Sequence, residues 1–104
     1  VRSSAASDVY KRQADKMKVL VISPIYLGKK VWQDGYDQEF SPESVEVSKK
    51  LELVYEKVAG KYGKRFMRAA DYASPSEADQ EHMDGQSHKI LADAIYRKLE
   101  AEIL

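Results

Sequence analysis

The sequence predicts an α/β fold in which two parallel strands and two helices form an incomplete sheet. Three observations support this: a β-branched apolar run at Lys18–Ser23, an amphipathic helical pattern from Ser41 to Gly63, and a second strand-then-helix pattern after it. This order is typical of a βαβ unit with a closing helix, whose strands are parallel and joined by a right-handed crossover. Because a stable sheet usually needs three or more strands, we expect the chain to be the carboxyl-terminal part of a larger α/β domain.

Composition excludes several classes of function. The chain has 104 residues, of which 43% are hydrophobic and 33% are charged, as in globular proteins. Basic and acidic residues both number 17, so the net charge is zero and no nucleic-acid partner is expected. The chain has no cysteine, which excludes thiol chemistry and is typical of a reducing compartment, so we expect a cytoplasmic location. The longest apolar run, Val19–Ile22, is far shorter than the ~20 residues of a membrane span.

The first thirteen residues differ from the rest of the chain. Residues 1–13 read VRSSAASDVYKRQ, are small and polar, and show no sustained apolar period. They resemble a translated sequencing adapter, and we therefore treat them as a non-native, disordered segment. A natural disordered tail is the alternative. The domain prediction accordingly starts at residue 14 and covers residues 14–104.

The first half of the domain contains a strand, a loop and a helix. Lys18–Ser23 is predicted to be a strand buried on both faces, as in parallel sheets. Tyr26–Phe40, the aromatic loop, has no regular pattern and is long enough to suggest a functional role. A helix is expected to begin at Ser41-Pro42, because serine is a preferred N-cap and proline suits the first turn. It should end at Gly63 and carry an apolar stripe, the α1 stripe, formed by Val47, Leu51, Val54 and Val58.

The second half repeats the pattern. Lys64–Ala70 is predicted to be a strand, Asp71–Asp84 a polar loop, and Gln86–Leu104 an amphipathic helix. The apolar stripe of that helix consists of Leu91, Ile95, Leu99 and Ile103. Since the predicted sheet has only two strands, we expect the first strand to have an unpaired edge and the helices to have partly exposed inner faces.

The candidate chemistry lies in the second loop. Ligand sites in open α/β sheets lie beyond the carboxyl ends of the strands, where this loop starts. Asp79 precedes His82 by three residues, a spacing that allows its carboxylate to accept a hydrogen bond from Nδ1. The imidazole is then held in one tautomer, with Nε2 free to act as a base. A solvated Asp–His pair without function is the alternative that the spacing alone favours.

Two further interpretations concern neighbouring residues. Tyr26 and Trp32 are predicted to line a substrate pocket, although covering core surface is an equal alternative. His88 is expected to be a structural or capping residue. A metal site is the less favoured alternative for the acidic loop, since no known ligand spacing is present. Its ligands would be Asp79, His82, Asp84 and His88.

These residues carry a resemblance to a known family. Asp79–Ile95 resembles the carboxyl-terminal signature of the SGNH (GDSL-type) hydrolases, where an Asp-x-x-His pair precedes a second histidine by six residues and a Leu-Ala-x-Ala-Ile helix follows. His82, His88 and Leu91–Ile95 match this arrangement. Val19–Pro24 resembles the penultimate core strand of the family and the proline after it. The resemblance covers about residues 16–104.

The resemblance implies a flavodoxin-like three-layer αβα fold and the hydrolysis of a small acyl ester without a metal or cofactor. Asp79 would be the orienting carboxylate and His82 the general base. The Gly-Asp-Ser nucleophile block, the oxyanion-hole glycine and the Gly-x-Asn-Asp block of the family are absent from this sequence. We therefore expect a fragment of a serine esterase or lipase that is inactive alone. A non-catalytic α/β interaction module and a metal-dependent hydrolase are the alternatives.

Overall fold

The computed structural model describes residues 18–103 and has the predicted α/β architecture. The predicted segment 1–13 lies outside the described residues. A short 3-10 turn at Ala69–Asp71 follows the second strand. The strands and helices, in chain order, are β1 (Leu20–Ser23), α1 (Pro42–Lys61), β2 (Arg65–Arg68) and α2 (Gly85–Glu102). Neither helix of the described part is long and apolar enough to cross a membrane.

The sheet consists of two parallel strands. Leu20 lies opposite Arg65 and Ser23 opposite Arg68, and α1 connects the two strands. Within residues 18–103, β1 pairs only with β2, so its other edge has no strand partner. Leu20–Ile22 are therefore half-buried rather than buried on both faces as predicted. Parallel strands are normally covered on both faces and flanked by neighbours, which β1 lacks here on one side.

Helix α1 begins and ends where the sequence predicts. Ser41 is the N-cap residue, and its backbone N–H donates to the Ser44 hydroxyl at 3.0 Å, while Pro42 occupies the first turn. The helix ends at Lys61, two residues before Gly63. The φ of Gly63, +65°, lies in the left-handed region that glycine adopts without a steric penalty.

The packing of α1 leaves the α1 stripe uncovered. The buried residues of α1 are Val45, Ser48 and Ala59. In contrast, the stripe residues are exposed by 55%, 38%, 55% and 48% in chain order. Contiguous apolar surface of this kind marks a contact surface in most proteins. The expectation of a partly exposed inner helix face is met.

A small apolar core lies between the sheet and α2. Its buried members are Met67, Ala69, Ala73 and Leu91. Leu20, Ile22 and Ile95 are among the half-buried side chains that pack against them. This core keeps α2 and the segment before it beside the carboxyl ends of the strands, where the candidate site lies.

Candidate functional site

Asp79 and His82 form the hydrogen bond that their spacing predicts. His82 Nδ1 lies 2.7 Å from Asp79 Oδ2. The other carboxylate oxygen, Oδ1, accepts the backbone N–H groups of Glu81 at 2.9 Å and His82 at 3.0 Å. The Ser76 hydroxyl donates to the same oxygen at 3.1 Å. The carboxylate is therefore held on both oxygens, and the imidazole, whose side chain is 80% exposed, extends from it into solvent.

The electrostatics of the pair follow from these contacts. The backbone N–H groups of Glu81 and His82, followed by the His82 ring, stabilise the charged carboxylate and hold the pKa of Asp79 far below its usual range. In return, the hydrogen bond and the charge of Asp79 raise the pKa of His82 above its ordinary value. With Nδ1 directed at Asp79, Nε2 is the ring nitrogen left to exchange a proton with a substrate or nucleophile.

The pair should make stability depend on pH. Because its pKa is raised on folding, His82 contributes stability below about pH 6.5, the ordinary histidine value, and loses this contribution as pH rises through the raised pKa. We expect the Tm difference between the parent chain and His82→Ala to be largest near pH 5–6 and to shrink by about pH 9. Calorimetry across this range tests it. A double variant with Asp79→Asn should lose no further pH-dependent stability, and a Tm difference that is constant with pH would contradict the ion pair.

A short closed loop holds the pair. This Asp–His loop, Ser76–His82, is closed by the Ser76 N–H, which donates to the His82 carbonyl at 2.7 Å, and by a bridge between Pro75 and Met83. Gln80 turns the chain with φ +62° and is the one non-glycine residue among residues 18–103 with a positive φ. That conformation costs a non-glycine residue about 1–2 kcal/mol. Glutamine gives no sequence signal for it.

His82 borders a cavity of about 400 Å³ at the carboxyl end of β1. His82 and His88 line it together with apolar side chains, and Ser23 forms part of its wall. The Ser23 side chain is fully buried, and its hydroxyl has no hydrogen-bond partner among residues 18–103. A buried hydroxyl without a partner costs about 1–3 kcal/mol. No hydroxyl within residues 18–103 is hydrogen-bonded to the His82 ring, so the described chain supplies no Ser–His contact.

The acidic surroundings differ from the predicted metal site. Ligand atoms of Asp79, Glu81 and His82 lie within 4.8 Å of one another. The neighbouring Asp37 carboxyl group is the main reason that the pKa of Glu81 is raised, because the protonated acid can donate a hydrogen bond to it whereas the carboxylate is repelled. The predicted set named Asp84 in place of Glu81, because the sequence does not show which acidic side chains of the loop converge.

Asp84 and His88 belong to the start of α2 instead. Asp84 is the N-cap residue, and its side chain accepts the backbone N–H of Ser87 at 2.7 Å. The backbone N–H of His88 donates to the Asp84 carbonyl at 3.0 Å in the first turn. Neither residue joins the Asp79–Glu81–His82 cluster among the described residues. His88 nonetheless lines the cavity beside His82.

Tyr26 and Trp32 lie apart from this cavity. The Tyr26 hydroxyl hydrogen-bonds to Glu52 of α1, which raises the pKa of Tyr26. Glu52 also accepts a hydrogen bond from Arg68 Nε at 2.8 Å, so this tyrosine ties the aromatic loop to α1 and β2. Trp32 is 38% exposed. Neither aromatic side chain is part of the wall of the His82 cavity.

Comparison with known proteins shows that the fold of this chain is similar to that of two solved structures. The chain matches no model of a known protein family. No curated protein matches it. One similar solved structure is 27% identical, with a TM-score of 0.78, and the match covers 94% of this chain and 51% of the other. A second, a candidate arylesterase from Agrobacterium tumefaciens, is 22% identical, with a TM-score of 0.70 and coverage of 96% and 52%. The chain therefore has a partial α/β fold that spans about half the length of these two solved proteins.

Proposed function

We propose that residues 14–104 form the carboxyl-terminal half of a serine esterase domain of the SGNH type, which hydrolyses a small acyl ester. The observation that carries the proposal is the Asp79–His82 hydrogen bond at the carboxyl end of the parallel strands, with Nε2 of the imidazole free. The likeness of fold to a candidate arylesterase supports the same reaction class. In this proposal the other half of the domain supplies the serine nucleophile and the oxyanion donors.

The proposed chemistry assigns one task to each residue of the pair. His82 Nε2 accepts the proton of the serine hydroxyl as its oxygen attacks the ester carbonyl, and returns that proton to the leaving alcohol. It then accepts a proton from water, which hydrolyses the acyl-enzyme. Asp79 holds the tautomer and stabilises the imidazolium. Since the pKa of His82 is raised, its basic form is populated at higher pH than that of an ordinary histidine.

Three features of the described chain support the proposal that another half of the domain packs against it. The α1 stripe is exposed, β1 has a free edge within residues 18–103, and the buried Ser23 hydroxyl has no partner. A strand beside β1 would supply backbone hydrogen bonds along that edge, and a polar group from it would satisfy Ser23. Trp32 remains our proposed substrate contact on the aromatic loop, whereas Tyr26 would act by positioning that loop through Glu52.

The isolated chain should be inactive. Without a nucleophile no acyl-enzyme forms, and a missing oxyanion donor alone raises the barrier by about 2.7–4 kcal/mol. We expect the purified 104-residue chain to hydrolyse p-nitrophenyl acetate no faster than its His82→Ala variant, and to remain unlabelled by a fluorophosphonate probe. Turnover that disappears on His82→Ala would overturn this expectation.

The proposal itself is tested on a longer protein that contains this sequence. The coding sequence upstream should contain a Gly-Asp-Ser block after an apolar strand. Expression of that protein should give esterase activity on p-nitrophenyl acetate and a single serine labelled by the fluorophosphonate. A longer protein that takes up no label and shows no His82-dependent turnover would contradict the assignment.

A metal-dependent hydrolase is the second candidate, because Asp79, Glu81 and His82 bring three ligand atoms within 4.8 Å. A metal ion at this site would require Asp79 either to give up its hydrogen bond to His82 Nδ1 or to bind the ion while it keeps that bond. Titration with Zn²⁺ or Mn²⁺ separates the two functions, since a ligand that binds only the folded state raises Tm. The metal candidate predicts a Tm rise that Glu81→Gln removes, whereas the esterase proposal predicts no saturable rise.

A further inference from the structure

Gln80 connects the Asp–His loop to the aromatic loop. Its exposed fraction is only 5%, although both of its neighbours, Asp79 and Glu81, are only half-buried. Its carbonyl accepts the backbone N–H of Gly28 at 2.8 Å, and its side-chain Oε1 accepts that of Lys30 at 3.3 Å. On its own loop, Nε2 donates to the Glu77 carbonyl at 3.3 Å. The amide group of one side chain therefore bonds to both loops.

The contact depends on a glycine in the facing loop. A Cβ atom on Gly28 would lie 2.1 Å from Gln80 Oε1 and 2.8 Å from Gln80 Cβ, distances that real Cβ atoms do not show. Only a residue without a side chain permits this approach of the aromatic loop. A side chain at Gly28 would force the two loops apart or displace the Gln80 amide.

The same residue shapes the turn that holds the imidazole. The Gln80 N–H donates to the Ser76 carbonyl at 2.9 Å, and its left-handed conformation redirects the chain. The next two backbone N–H groups, of Glu81 and His82, consequently meet on Asp79 Oδ1. The orientation of the carboxylate and of the ring bonded to it thus depends on where Gln80 is held.

We infer that Gln80 is a positioning residue, which fixes the Asp79–His82 pair relative to the aromatic loop through the backbone and without touching the reacting atoms. The inference deepens the proposed function, on which it rests. It makes the aromatic loop and the Asp–His loop one structural unit. A change on the aromatic loop is therefore transmitted to the imidazole through Gly28 and Gln80.

The test measures the His82 ring in the 104-residue chain. Gln80→Met keeps the length of the side chain but removes its amide hydrogen bonds to both loops. We expect the pKa of His82, followed by NMR of its ring signals, to fall from the parent value towards that of Asp79→Asn. Gln86→Met is the matched control, because Gln86 is exposed in the first turn of α2. It should leave the His82 titration at the parent value.

A second variant tests the contact between Gly28 and Gln80 from the aromatic loop. It also decides whether Gln80 positions the pair if Gln80→Met does not fold. Gly28→Ala keeps Gln80 intact and should move the His82 pKa in the same direction. Variants that lower Tm but leave the His82 titration unchanged would show a purely structural role and overturn the inference. The readout needs no esterase activity, so a chain in which the coupling holds but the longer protein is not an esterase would count against the proposed function alone.

Discussion

Replacement of His82 by alanine in the longer protein is expected to lower kcat for p-nitrophenyl acetate by about 10⁴-fold or more, as removal of the base does in Ser-His-Asp hydrolases. In the proposed reaction His82 moves the proton in every step. Its ring is 80% exposed and is hydrogen-bonded to Asp79. KM should change little, because the ring contacts reacting atoms rather than the remote parts of the substrate. Steady-state kinetics with purified parent and variant measure both constants.

Asp79→Asn provides the matched test of orientation. The amide would keep the size of the side chain but not the charge that stabilises the imidazolium, and the expected loss in kcat is again about 10⁴-fold. Asp84→Asn is the control, since Asp84 caps α2 and asparagine is an equally good N-cap. If both asparagine variants lose the same small amount of activity, Asp79 does not orient a catalytic base.

The second large effect concerns the α1 stripe, where the same substitution should affect stability differently in the 104-residue chain and in the longer protein. In the 104-residue chain, Val47 and Val54 are each 55% exposed, so Val47→Ser and Val54→Ser should reduce self-association without lowering Tm. In the longer protein the proposed half-domain would cover them, and each change should destabilise the fold by about 2 kcal/mol through lost apolar burial. Denaturant titrations and analytical ultracentrifugation of both proteins measure these outcomes.

Leu53 offers a control on the same helix. It is 63% exposed and lies one residue, hence about 100° around the helix, from Val54. Leu53→Ser should have the same small effect in both proteins. If the valine variants also behave identically in the two proteins, the α1 stripe stays uncovered in the longer one, and the assignment of this chain as half of a domain fails.

Short-range signals in the sequence predicted most of the fold. The Ser41-Pro42 start and the Gly63 end of α1 depend on residues within one turn of each boundary, and the structure confirms both. The β-branched run predicted β1, although the strand–helix–strand order was needed to infer that β1 and β2 are parallel. The Asp79–His82 hydrogen bond was equally accessible, because the two residues are only three positions apart.

Contacts between distant segments were not accessible in the same way. Periodicity identified the α1 stripe but not which residues of the helix are buried, and the small residues Ser48 and Ala59 are buried instead. Gln80 adopts a left-handed conformation for which glutamine has no preference, and its carbonyl accepts the N–H of Gly28, more than fifty positions earlier. The bond between Tyr26 and Glu52 likewise joins two elements that only the fold brings together.

The closure of the Asp–His loop has a consequence for protein engineering. Its terminal hydrogen bond runs between Ser76 and His82, and the bridge outside it joins Pro75 to Met83, so nine consecutive residues form the turn that carries the imidazole, while the aromatic loop holds Gln80 within it. Such a short, self-closed peptide is suited to transfer into another protein. Grafted onto the end of another parallel strand, with a glycine opposite Gln80, it would bring an oriented base to a scaffold that supplies a hydroxyl nucleophile and oxyanion donors.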